Sequence, residues 1–76
     1  MNAMRRKALQ RAIEYLNQAR EVIEEVMDAE QESFDNLPES FQYSERGEHM
    51  EENIEGLDEC MSSIDDMFDT LEEVMA

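Results

Sequence analysis

His49 stands one helical turn from Glu45 on one side and from Glu52 on the other. An imidazole between two carboxylates on one helix face is half of a bundle-type metal site. Such sites take Glu-x-x-His motifs from two helices, all pointing inward. Here the residue three before His49 is Arg46, and the chain holds 1 histidine in all. The same scarcity limits catalysis. With 1 Cys, Cys60, and that single His, no nucleophile has both a base and a group to orient the base. Asp58 and Glu59 beside Cys60 also disfavour a thiolate. There is no Gly-rich phosphate loop and no twelve-residue calcium loop. The expectation is a protein that is not an enzyme, with no catalytic residues, no metal ligands and no cofactor. His49 is expected to pair with Glu30, which comes near when the chain folds at residue 40.

The abundant chemistry is carboxylate. Acidic residues number 21 against 6 basic ones in 76 residues, a formal net charge of −15. They recur with period seven in the second half. Glu51, Asp58, Asp65 and Glu72 make one row, Glu52, Glu59, Asp66 and Glu73 the next, and Glu48, Glu55 and Asp69 a third. Arg46 is the only basic residue among them. One reading is a solvated face that keeps the protein soluble. The other is a copy of a nucleic-acid backbone. Carboxylates from Glu39 to Glu73 fall at one per about 3.9 Å of helical rise, against one charge per about 1.7 Å in duplex DNA. A dimer with two such rows on one side would approach that density. Direct nucleic-acid or anionic-lipid binding is disfavoured by the charge itself.

The elements that must carry these groups are legible from the apolar spacing. Leu9, Ile13, Leu16, Arg20, Ile23, Met27, Glu30, Phe34 and Leu37 follow alternating steps of four and three, as do Met50, Ile54, Leu57, Met61, Ile64, Phe68, Leu71 and Met75. This is the seam of a coiled-coil-like helix, twice over. Pro38 breaks the pattern between them. The spacing predicts helix one at about 3–35, a turn over 36–43 and helix two at about 44–75, all within a single domain. Asn36 is expected to cap a short turn with Glu39 reaching back, and Ser44 to cap helix two.

So short a connection makes the helices antiparallel neighbours. Folding about residue 40 sets Leu9 opposite Leu71, Leu16 opposite Ile64 and Ile23 opposite Leu57. It also lays Arg5, Arg6, Lys7 and Arg11 beside Asp65, Asp66, Asp69, Glu72 and Glu73. Arg20 and Glu30 interrupt the first seam. They either fix register or oligomer state, or snorkel to its edge. Gly47 and Gly56 weaken helix two by about 1 kcal/mol each relative to Ala; Gly56 either permits close helix approach or is a neutral surface glycine. Ala12, Ala19, Val22 and Val26, with Cys60, Met67 and Val74, widen the apolar face beyond what one partner helix covers. The predicted fold is therefore all-α: an antiparallel two-helix hairpin that dimerises into a four-helix bundle. The 7 Met are either core filler or an adaptable binding surface.

The connector is richer than a turn requires, with Phe34, Leu37, Phe41 and Tyr43 within ten positions. These either cap the open end of the core or form a binding tip, with Phe41, Tyr43 and Arg46 as anchors. The stretch from Phe34 to Glu48, with its Asp-Asn-x-Pro-Glu-Ser and Ser-Glu-Arg-Gly-Glu runs, resembles small acidic helical proteins of bacteriophages, prophages and mobile elements. The resemblance implies a bacterial or phage-infected cytosol. That group has no assigned activity, so no functional residue carries over.

No apolar run approaches the length of a membrane span. The basic start, Met1 to Lys7, leads into a polar helical pattern, so no signal peptide is expected. A single cysteine excludes an internal disulfide and fits a reducing compartment. The function expected is a protein-interaction module that binds an unidentified protein partner as a homodimer, without membrane or direct nucleic-acid contact. The candidate contacts are the tip residues Phe41, Tyr43 and Arg46. On the acidic face they are Glu51, Glu52, Glu55, Asp58, Glu59, Asp65, Asp66, Asp69, Glu72 and Glu73. The alternative is an acidic nucleic-acid mimic that inhibits a nucleic-acid-binding host defence protein.

Overall fold

Asn2 opens the first helix by accepting a 2.8 Å hydrogen bond from the Arg5 N–H. In the computed structural model, which describes residues 1–76, three helices follow one another and there is no strand. They are α1 (Ala3–Asp35), the four-residue α2 (Glu39–Gln42) and α3 (Glu45–Met75). α1 and α3 form a long pair within a body of 58 × 15 × 12 Å.

Burial follows the four-three spacing. Met61 and Ile64, each 8% exposed, are the buried apolar residues, and the other members of both seams are half-buried. A fully buried aliphatic side chain contributes only about 1.5–3 kcal/mol. A core with two such residues is thin for a chain of this size. No helix is long and apolar enough to cross a membrane.

Contacts between α1 and α3 run in antiparallel order. The Arg6 guanidinium donates to the Met75 carbonyl, Arg20 to Asp65, and the Asn53 amide to Glu30. Partner numbers in these contacts add to 81–85 rather than 80, so the partner of a given residue lies one to five positions further along α3 than folding about residue 40 would place it. Leu16 falls level with Phe68 and Ile23 with Met61, in place of Ile64 and Leu57. α2 packs against the first turn of α3, where Gln42 lies against Gly47.

With the seam written as heptad positions a and d, the two flanks of each helix differ. The e flank of α3 is Glu51, Asp58, Asp65 and Glu72, and Glu24 lies on the e flank of α1. The g flanks are Arg5, Ala12, Ala19, Val26 and Ser33 on α1, and Arg46, Asn53, Cys60, Met67 and Val74 on α3. Antiparallel helices bring like flanks together. A groove lined by Val26, Glu30, Glu52, Asn53, Gly56, Leu57 and Cys60 marks the g side. The helix pair thus has one side edged by a carboxylate row and one side that is mostly apolar between Arg5 and Arg46.

Three expectations need correction. Arg5, Arg6, Lys7 and Arg11 form no ion pair with the carboxylates of α3; the ion pairs are Arg20 with Glu24 and Asp65, and His49 with Glu45 and Glu52. Lys7 and Arg11 sit at b and f, turned away from α3, and Arg6 reaches a carbonyl. Asn36 is not the cap of the short turn. It closes α1, its N–H donating to the Glu32 carbonyl at 3.0 Å, while Pro38 precedes α2 with no side-chain cap. His49 does not meet Glu30. It lies on the outer surface, 3.9 Å from Glu45 and 3.7 Å from Glu52, and Glu30 accepts from Asn53 instead.

Candidate functional site

The tip is built from α2 outward. Pro38 has an extended backbone, φ −54° and ψ 145°, and its carbonyl accepts from Phe41 N–H at 2.8 Å and Gln42 N–H at 3.2 Å. Those bonds make one helical turn across the end of the pair. The half-buried Gln42 amide then donates to the Phe34 carbonyl at 3.3 Å and the Leu37 carbonyl at 3.2 Å. Carbonyls at a helix end have no partner within the helix, and Gln42 supplies one. Ser44 caps α3 by accepting from Gly47 N–H at 3.4 Å, and its hydroxyl donates to the Phe41 carbonyl.

Gly47 closes this structure. It is buried, and a Cβ there would lie 2.2 Å from the Gln42 carbonyl oxygen and 2.6 Å from its carbonyl carbon. Both are backbone atoms with little freedom to yield, so the approach of α2 to α3 requires glycine at this position. Gly56 is a contrasting case, because a Cβ there meets nothing within 4 Å.

The four apolar residues of the connector divide. Phe34 and Leu37 are half-buried and close the end of the seam, whereas Phe41 is 55% exposed and Tyr43 79% exposed. Arg46 is exposed beside them in the first turn of α3. Two aromatic rings and a guanidinium are thus held outward on a tightly bonded turn. Sequence reasoning placed Phe41, Tyr43 and Arg46 here. It missed Gln42 and Gly47, which hold them in place.

All ten candidate residues of the acidic face are exposed: Glu51, Glu52, Glu55, Asp58, Glu59, Asp65, Asp66, Asp69, Glu72 and Glu73. Asp65 is taken by Arg20, whose Nε and Nη2 donate to its two oxygens at 2.9 and 3.2 Å. That hydrogen bonding raises the Arg20 pKa above its ordinary value, against the opposing effect of desolvation. Arg20 also lies 3.6 Å from Glu24. Of the two readings of Arg20, the contact matches the one that ties the helices in register. Glu51 and Glu55 edge a shallow groove floored by Phe34 and Ile54, close to the tip.

The charge is unevenly distributed along the long axis. Residues 1–20 with 62–76, the end that holds both termini, carry five cations and six carboxylates, a net of −1. Residues 21–61, the tip end, carry Arg46 and fifteen carboxylates, a net of −14. Spread over half of the 58 Å length, this is one net charge per about 2 Å, near the about 1.7 Å of duplex DNA. No group of three or more His, Cys, Asp or Glu side chains is arranged to hold a metal ion.

Fold and surface define an all-helical chain with a paired-helix stem, a side edged by carboxylates, a mostly apolar side and a fixed aromatic tip. Comparison with protein-family models, with curated proteins and with solved structures finds no match.

Proposed function

We propose that the chain is a non-enzymatic protein-interaction module, built on an antiparallel helical hairpin that pairs with a second copy into a four-helix bundle. It binds a protein partner through Phe41, Tyr43 and Arg46 at the tip. The resemblance of the connector to acidic proteins of phages and mobile elements sets the module in a bacterial or phage-infected cytosol. The observation that carries the reading is the tip itself. Tyr43 and Phe41 stay 79% and 55% exposed although Gln42, Ser44 and Gly47 hold the surrounding backbone tightly. A preorganised turn that presents aromatic and arginine side chains loses little entropy on binding, and these residue types dominate binding hot spots.

A second reading is supported by the −14 net charge of the tip half. There the module is an acidic decoy that fills the basic channel of a nucleic-acid-binding host protein and releases its counter-ions. One experiment separates the two. The tagged chain is used to capture partners from bacterial lysate, beside a Phe41→Ala/Tyr43→Ala variant and a Glu52→Lys/Glu59→Lys/Asp66→Lys/Glu73→Lys variant. The tip reading expects capture to be lost in the first variant and kept in the second. The decoy reading expects the reverse, with capture falling steeply as salt rises. Absence of any stoichiometric partner at low salt counts against both.

A further inference from the structure

The mostly apolar side of the helix pair and the lengthwise charge gradient have one solution in common. We propose that a second copy of the chain covers the g-side face, and that the two hairpins lie antiparallel, each tip beside the other's terminal end. This rests on the pairing reading above and adds to it the face and the orientation.

The face is mostly apolar in chemistry and open in structure. Val26 is 50% exposed, Met67 48% and Val74 47%, Cys60 is exposed, and Gly56 leaves space beside them. The area suits a second copy. A compact monomer of 8.9 kDa has an accessible surface of about 4,800 Å² by the usual size scaling. This chain has 5826 Å². The surplus of about 1,000 Å² is close to the roughly 800 Å² per partner that a stable interface buries. The lengthwise projection, 58 by 15 Å, gives a footprint of about 870 Å².

Charge selects the orientation. Two hairpins with their tips at the same end would bring together two regions of net −14. Reversing one copy sets each −14 region beside a region of net −1. That region contains Arg5, Lys7 and Arg11, exposed and in no ion pair within their own chain. The reversed arrangement separates the strongest repulsion and sets Arg5, the cation on the g flank, beside a carboxylate-rich neighbour. A second copy also suits this face better than an unrelated acidic or basic protein. The face is apolar over most of its length, with Glu30 and Glu52 at its groove and Arg5 and Arg46 towards its two ends, and the row Glu51, Asp58, Asp65 and Glu72 stays on the far side, in water.

The test uses the full chain with Cys60→Ser and Ser40→Cys, spin-labelled at residue 40 in the tip. Sedimentation gives the mass, and double electron–electron resonance gives the distance between labels. The proposal expects a dimer with a label separation approaching the 58 Å length of one hairpin. A dimer with labels within about 25 Å, as adjacent helices about 10 Å apart would place them, overturns the orientation and leaves pairing intact. A folded monomer overturns both the orientation and the pairing reading. Val26→Glu with Met67→Glu is expected to give monomers, and persistence of the dimer in that variant overturns the choice of face.

Discussion

Replacing Gly47 with Ala is the most discriminating single-residue change in the fold. Gly47 lies within α3, where Ala is the better helix former by about 1 kcal/mol. Propensity alone therefore forecasts stabilisation. The added Cβ, however, falls 2.2 Å from the Gln42 oxygen and 2.8 Å from its Cα, far inside contact distance. Overpacking of this kind costs about 1–3 kcal/mol. Because the atoms in the way are backbone, the upper half of that range applies, and the net change is a loss of about 1–2 kcal/mol. Gly56→Ala is the internal control. It lies on the same helix with no atom of its own chain within 4 Å of an added Cβ, so it should gain up to about 1 kcal/mol. For a chain of this size, 1 kcal/mol shifts Tm by roughly 4–8 °C. Thermal melts followed by circular dichroism, at one matched protein concentration, should show the two variants on opposite sides of the wild type. A Gly47→Ala variant as stable as Gly56→Ala would refute the packed tip.

Gln42→Ala leaves the Leu37 carbonyl without its donor and the Phe34 carbonyl with the Leu37 N–H alone, and should cost about 1–2 kcal/mol in urea unfolding. Arg20→Gln and Asp65→Asn remove the same bidentate pair, so the double variant should be no less stable than Arg20→Gln alone. Because the bond to Asp65 raises the Arg20 pKa, the arginine half of the pair contributes fully below the ordinary arginine value and is lost only above the raised one. Its contribution should be unchanged between neutral and moderately alkaline pH, as urea titrations across that range would show. Salt should stabilise the protein. With a net charge of −15 and Arg20 the one cation in ion pairs, screening relieves more repulsion than attraction, and Tm should rise as the Debye length falls from about 30 Å at 0.01 M to about 8 Å at 0.15 M.

Local rules carried much of the fold. The four-three spacing marked the residues that turn inward, because a helix commits every third or fourth side chain to one face whatever its partner. Pro38 located the break for an equally local reason. The register differed by one to five residues, because it is set by tertiary contacts such as Arg20 with Asp65 and Asn53 with Glu30 that spacing along one helix does not carry. Gly47 escaped for the same cause: its spacing reads as a weak helical residue, and only the approach of Gln42 gives it a purpose. His49 and the basic residues were misplaced by arguing from proximity in register without the direction each helix position faces. At the site, the exposure of Phe41 and Tyr43 could be posed as a question from composition. Its answer required knowing that Phe34 and Leu37 suffice to close the end.

The central claim is that binding runs through the fixed tip. The most direct measurement is the affinity of the captured partner for wild type and for Phe41→Ala/Tyr43→Ala, each at two salt concentrations. The account predicts a loss of at least about 30-fold in the variant, since hot-spot truncations cost about 2 kcal/mol or more, with only weak dependence on salt for the wild type. An unchanged affinity in the variant, with wild-type binding that collapses as salt rises, would contradict it.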